Sequence, residues 1–246
     1  MKTLYVSLSC LLVGGAVVGL AATPLTAERQ TPQAQKEVER ALRGGDFQQI
    51  DVSLSESEVT LSGTVPHLFA KNEAIREALE VDGVETVASE LQLPVEEEDA
   101  DVAQEVGKAI GRYAHFTIWD YVEGRVNGGV VTLRGSVTPL RDKKRELYET
   151  IAKIRGVQDY VDRIEIQSTS IGDERLRQTI GRNLASNLHF ERTVNMRNPP
   201  YHIVVDLSSV TLRGYVQTQI EYREMERIIR QTLGVLNVDN QLQTLR

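Results

Sequence analysis

The side chains best suited to acid–base or metal chemistry in this chain of 246 residues are four histidines: His67, His115, His189 and His202. A catalytic group should belong to a polar cluster converging from separate segments. Instead, His115-Phe116 and His189-Phe190 recur at equivalent places just after a helix, which points to a structural role such as a contact with the last helical carbonyls. No carboxylate or second histidine stands at metal spacing from them. The acidic run Glu96-Glu97-Glu98-Asp99 would attract a cation weakly, but it lacks the glycine and alternating oxygen ligands of a calcium loop and reads as a solvated spacer. There is no glycine-rich phosphate loop and no nucleophile elbow. The single cysteine, Cys10, lies in an apolar leader, so the remainder of the chain has no thiol to act as nucleophile, metal ligand or disulfide partner. The expectation is a protein without catalytic residues, metal or cofactor.

Binding chemistry is better represented. Arg112-Tyr-Ala-His-Phe-Thr-Ile-Trp-Asp-Tyr121 contains the only tryptophan and two of the eight tyrosines. If Val122 and Val126 face a core, alternation sends Trp119, Tyr121, Glu123 and Arg125 to the opposite side. Aromatic rings beside arginine suit a membrane interface. The alternative is that these rings pack against a neighbouring part of the chain. A second basic group, Arg141-Asp-Lys-Lys-Arg145, opens a helix. Cations there oppose the helix dipole, which hints at phosphate contact, although a solvated helix face is the simpler reading. Trp119, Tyr121, Arg125, Arg141, Lys143, Lys144 and Arg145 are therefore the candidate contacts. The segment Glu191–Pro200 reads as a loop insertion of the kind that often carries binding.

Charge limits the partners. The chain has 28 basic and 35 acidic residues and a formal net charge of −7, unlike a general nucleic-acid binder. Gln33–Pro94 has five basic and twelve acidic residues, and five more acids lie in the following spacer, so the front carries −12. Val102–Gln167 and Ser168–Arg246 each carry +2, so an anionic lipid surface would tolerate them and repel the front. Lys2, an uncharged stretch from Leu4 to Ala22 and small residues around Gly19 and Ala21 have the order of a secretory signal peptide over residues 1–27. Nineteen apolar residues also nearly span a bilayer, so an uncleaved anchor is the alternative. Both readings place the rest of the chain outside the cytoplasm, at the periplasm or cell envelope.

The elements that must position these residues repeat three times. Val59-Thr-Leu-Ser-Gly-Thr-Val65, Val131-Thr-Leu-Arg-Gly-Ser-Val137 and Val210-Thr-Leu-Arg-Gly-Tyr-Val216 are nearly one heptapeptide. Each is followed, 20 or 21 residues after its glycine, by Gly83-Val84, Gly156-Val157 or Gly234-Val235. Alternating strands flank the heptapeptides, joined to them by turns such as Asn127-Gly128-Gly129. Helices with i, i+3, i+4 apolar spacing precede and follow, with Thr31-Pro32, Asp101 and Asp173 placed as N-caps and the Gly-Val glycines as C-caps. The fold class is α+β: three tandem αββαβ units at 31–94, 101–167 and 171–245, each a three-stranded sheet with two helices on one face. Units this small are marginal alone and should lean on one another, with units two and three closer because their linker is short.

This pattern resembles the BON domain family, through Val-Thr-Leu-x-Gly-x-Val, the helix ending near Gly-Val and the closing alternating strand. The resemblance implies a non-enzymatic bacterial envelope protein, often stress-linked, whose domains bind phospholipid surfaces. The partner expected is an anionic phospholipid surface and, on the charge, no nucleic acid; the alternatives are a periplasmic adaptor for an envelope protein and a stress-protective protein without a lipid ligand.

Overall fold

The computed structural model describes residues 27–94, 97–196 and 198–245. The expected signal segment lies outside them, apart from Ala27, which opens the first helix. Unit one consists of α1 (Ala27–Ala41), β1 (Ile50–Ser55), β2 (Glu58–Thr64), α2 (Leu68–Leu79) and β3 (Thr86–Gln92). Unit two repeats the order with α3 (Asp99–Arg112), β4 (Tyr121–Asn127), β5 (Val130–Val137), α4 (Lys143–Ile151) and β6 (Asp159–Ile166). Unit three has α5 (Ile171–Ala185), β7 (Tyr201–Asp206), β8 (Ser209–Val216), α6 (Gln219–Gln231), β9 (Asn237–Asn240) and β10 (Gln243–Thr244).

Each heptapeptide forms the middle strand of its own sheet. It pairs antiparallel with the strand before it and parallel with the strand after the second helix. A parallel neighbour needs a crossover, and α2, α4 and α6 supply it. In unit three the closing strand is interrupted, and β9 and β10 both pair with β8, giving four strands where three are expected. Apolar residues of both helices and one sheet face make each core, for example Val38, Leu42, Leu61, Ala74 and Leu91 in unit one.

The heptapeptide glycine is there because the start of the first strand passes too close for a side chain at that point. Gly135 has φ 142°, and a Cβ on it would lie 1.9 Å from the Tyr121 carbonyl oxygen. Gly63 and Gly214 meet Gln49 and Pro200 carbonyl oxygens in the same way, at 2.0 and 2.4 Å. No side chain fits there, and the first strand of each unit is thereby pinned to the middle one.

Several capping expectations shift. Thr31 and Pro32 lie inside α1 and not at its start. Glu98 and Ser170 are the N-caps of α3 and α5, and Asp101 and Asp173 fall within the first turn. The buried Asp173 carboxylate instead accepts the Leu207 and Ser208 amides, and Asp99 accepts those of Gly128 and Gly129. The helix start thus clamps the hairpin turn of its own sheet. Those amide bonds hold the Asp99 carboxyl below the usual carboxylate range. The Gly-Val glycines sit beyond the helix ends, in the turn to the closing strand, again at positive φ. The insertion at Glu191–Pro200 is not a free loop, since Phe190 and Val194 are buried in the core of unit three and Thr193 shares a hydrogen bond with Tyr201.

Both junctions between units are packed. Leu68 at the start of α2 belongs to the core of unit two, and the Phe69 amide bonds the Ala152 carbonyl at 2.9 Å. Ile118 in turn belongs to the core of unit three, and its carbonyl accepts the Ile203 amide at 2.6 Å. Each unit lends a side chain to the next. The steric role of the heptapeptide glycine predicts that Gly135→Ala destabilises the protein by about 2–4 kcal/mol in urea unfolding. Gly107→Ala, in open space on α3, should change the midpoint little or raise it.

Candidate functional site

Of the candidate contacts, Trp119 and Tyr121 fall at the seam between units two and three, and the others lie apart from it on unit two. Trp119 precedes β4, in a turn closed by the Asp120 amide on the Thr117 carbonyl, so strand alternation does not govern it. Its ring is half-buried against the core of unit three, with Cζ2 lying 3.5 Å from where a Cβ on Gly181 of α5 would be. Tyr121 does leave β4 on the helix-free side, but it too meets unit three. Arg213 stacks over its ring at 4.8 Å and His202 approaches it edge-on at 5.6 Å. Its hydroxyl donates to Glu123 at 2.5 Å, and Glu123 pairs with Arg134. Burial raises the Tyr121 phenol, whereas the Tyr121 hydroxyl and Arg134 hold Glu123 below its ordinary range. Arg125 is exposed.

Lys143 requires a correction, because it is buried and cannot be a surface contact. It is 3% exposed, and its Nζ donates to Asp120 at 2.6 Å and to Thr138 Oγ1 at 2.7 Å. The same carboxylate accepts the Thr117 amide and hydroxyl at 2.9 and 2.8 Å and those of Thr138 at 2.8 and 3.0 Å. The other cations of the run are neutralised locally. Arg141 pairs with Glu146, Arg145 with Glu149 and Lys144 with Asp162. Asp120 lies in the turn before β4, where no periodicity marks it as buried. Its partner stands 23 residues away and follows no local spacing.

On the other side of the seam, buried Arg177 of α5 donates to Gln167 Oε1 and to the Ser168 and Val205 carbonyls, while Gln167 Nε2 donates to the Trp119 carbonyl at 2.5 Å. Two depressions flank this contact. One is a groove of about 520 Å³ bounded by Trp119, Thr138, Pro139, Leu140, Gln178 and Gly181. Leu140 is 86% exposed there. It lies in a turn of five residues between β5 and α4, where units one and three use three and two. The other is a cleft of about 670 Å³ between the helix-free faces of the two sheets, lined by Tyr121, Arg134, Arg163, Glu165, Asp206 and Arg213.

The histidines do not converge. His67 caps α2 by accepting the Ala70 amide, and His115 and His189 are exposed beside buried Phe116 and Phe190. His202 lies inside the seam. Among the described residues no three or more His, Cys, Asp or Glu are grouped so as to hold a metal ion, and no helix is long and apolar enough to cross a membrane.

With three like sheets on view, comparison with known proteins becomes decisive. The family model described as "BON domain" matches residues 30–94 and 172–246, which are units one and three and more than half of the chain. This chain belongs to the BON domain family. Unit two falls outside the matched segments but repeats the BON strand order and register. BON domain proteins are generally non-enzymatic and commonly associated with the cell envelope. No curated protein matches the sequence. Among solved structures, CdsD, a structural protein of the type III secretion system of Chlamydia trachomatis, is 14% identical, over 85% of this chain and 91% of that one, with a TM-score of 0.24. The C-terminal domain of CdsD is 13% identical, over 86% and 96%, with a TM-score of 0.24. Likeness at that level carries no argument about this BON protein.

Two predictions concern the seam. Asp120→Ala leaves the Lys143 ammonium buried and unpaired and should cost about 3–5 kcal/mol, whereas Asp120→Leu with Lys143→Met should cost clearly less, both read by urea unfolding. Burial pushes the His202 imidazole below its ordinary value of 6.5, against the opposing pull of Asp120. The unfolded chain therefore takes up the proton first, so this contribution to stability is complete above pH 6.5 and is lost as pH falls below it. His202→Gln should shrink the difference in unfolding midpoint between pH values above and below that point.

Proposed function

We propose that this BON protein resides at the cell envelope and contacts anionic phospholipid at the junction of units two and three. The observation that carries this reading is the largely apolar groove lined by both exposed Leu140 and half-buried Trp119. An apolar side chain and an indole in one groove suit a membrane interface, where rings settle at headgroup level, and Arg141, paired with Glu146, follows Leu140 in the chain. The +4 charge of units two and three against −12 in front supports the same orientation. The contact set is accordingly Trp119, Leu140 and Arg141, with Arg125, Lys144 and Arg145 as outlying cations. Tyr121 lies in the inter-unit cleft and Lys143 is internal. A role in osmotic or envelope stress belongs to the same proposal.

The polar cleft favours a second reading, an adaptor for an envelope protein, because its arginines and carboxylates suit a polar partner better than lipid. The single tryptophan separates the two. Anionic vesicles should shift Trp119 emission to the blue, Leu140→Ser should weaken the shift several-fold, and high salt should reduce it. A partner captured from envelope extracts by a protein whose Trp119 ignores anionic vesicles at low salt would favour the adaptor.

A further inference from the structure

The far end of unit three differs from the same end of the other two. Two turns and the start of a helix meet there. The start of α5 is tied to the β7–β8 turn by the Asp173 carboxylate, and the α6–β9 turn is tied to it by the Leu236 amide on the Ser208 carbonyl at 2.9 Å. The four large side chains at these positions are Ile171, Leu207, Leu233 and Leu236, exposed by 72%, 72%, 95% and 83%. Their segments, Ile171-Gly172, Leu207-Ser208 and Leu233–Leu236, contain no charged residue. In unit two the corresponding residues are Glu97, Gly128, Arg155 and Gln158, and in unit one the last three are Glu56, Asp82 and Glu85. The other two units thus carry charged or polar residues or glycine at this end, with no large apolar side chain.

Leu207 adds a second, independent sign. It stands at φ 47° and Ser208 at φ 63°, the left-handed pair of a two-residue hairpin turn, where unit two has Gly128-Gly129. A leucine there is strained and also exposes its side chain, so neither folding nor solubility accounts for it.

We infer that this tip inserts into the acyl region of a lipid bilayer. Four side chains present only a few hundred Å², below the ~800 Å² per partner of a stable protein–protein interface. They project from two turns and a helix start, so the surface is a point and not a plane or groove. A deformable apolar phase accepts such a point, whereas a protein partner would need a matching socket. The absence of charge means that insertion depends on apolar burial and not on headgroup sign, unlike the contact at Trp119. The inference rests on the membrane reading above but involves a separate surface.

The test is a local one. Leu233→Trp adds an indole at the tip of the full chain, and vesicles of zwitterionic phosphatidylcholine carry bromine midway along the acyl chains. The added emission should shift to the blue and be largely quenched, with no loss in high salt, while Trp119 in the parent is quenched far less. Leu207→Gly, which relieves the turn and leaves unfolding midpoints unchanged or higher, should reduce quenching of Leu233→Trp several-fold. An unquenched tip indole, in a protein whose Trp119 responds to anionic vesicles, overturns the inserted tip and leaves the seam contact standing. If neither indole responds, both readings fall. A blue shift that grows with protein concentration without lipid would mean a second copy covers the tip, and would also overturn the inference.

Discussion

The junction between units two and three depends on one buried carboxylate. Asp120 gathers two threonine amides, two threonine hydroxyls and the Lys143 ammonium around itself, and by doing so fixes the short turn that carries Ile118 and Trp119 into unit three. Buried charges cost free energy unless fully paired, so the turn has little freedom to adopt another shape. The ammonium at the start of α4, unfavourable against the helix dipole, is neutralised by the same carboxylate. A position that reads as surface charge is in fact interior.

The same economy of small cores explains the chain of contacts. A unit of this size buries a modest fraction of its surface, and a single extra aliphatic side chain from a neighbour changes the balance. Leu68 serves unit two and Ile118 serves unit three. The cores of units two and three are therefore completed from outside, and tandem repetition contributes to stability here as well as multiplying surfaces.

Much of the fold was legible in the sequence because it obeys local periods. Alternation placed Ile50, Val52 and Leu54 against their core, and the repeated heptapeptide identified the middle strand before any pairing was known. The site was less legible, for physical reasons. Parity assigned Tyr121 to the helix-free face, but what covers a face depends on how two units meet, and no spacing records that. Trp119 lies in a turn where parity has ended. Lys143 is matched over 23 residues by a partner that shares no motif with it. Ile171, Leu207, Leu233 and Leu236 are scattered over 66 positions and become one surface only when two turns and a helix start meet.

The lending of side chains has a direction. Unit one gives to unit two and unit two gives to unit three, always toward the C-terminus. A chain that emerges N-terminus first, from a ribosome or across a membrane, therefore leaves Leu68 uncovered until unit two has followed it, and Ile118 until unit three has. Maturation runs forward along the polypeptide, and a product cut short after Gln167 would keep an unsheltered isoleucine and indole at its broken end, marking it as incomplete to any quality-control machinery that reads greasy surface.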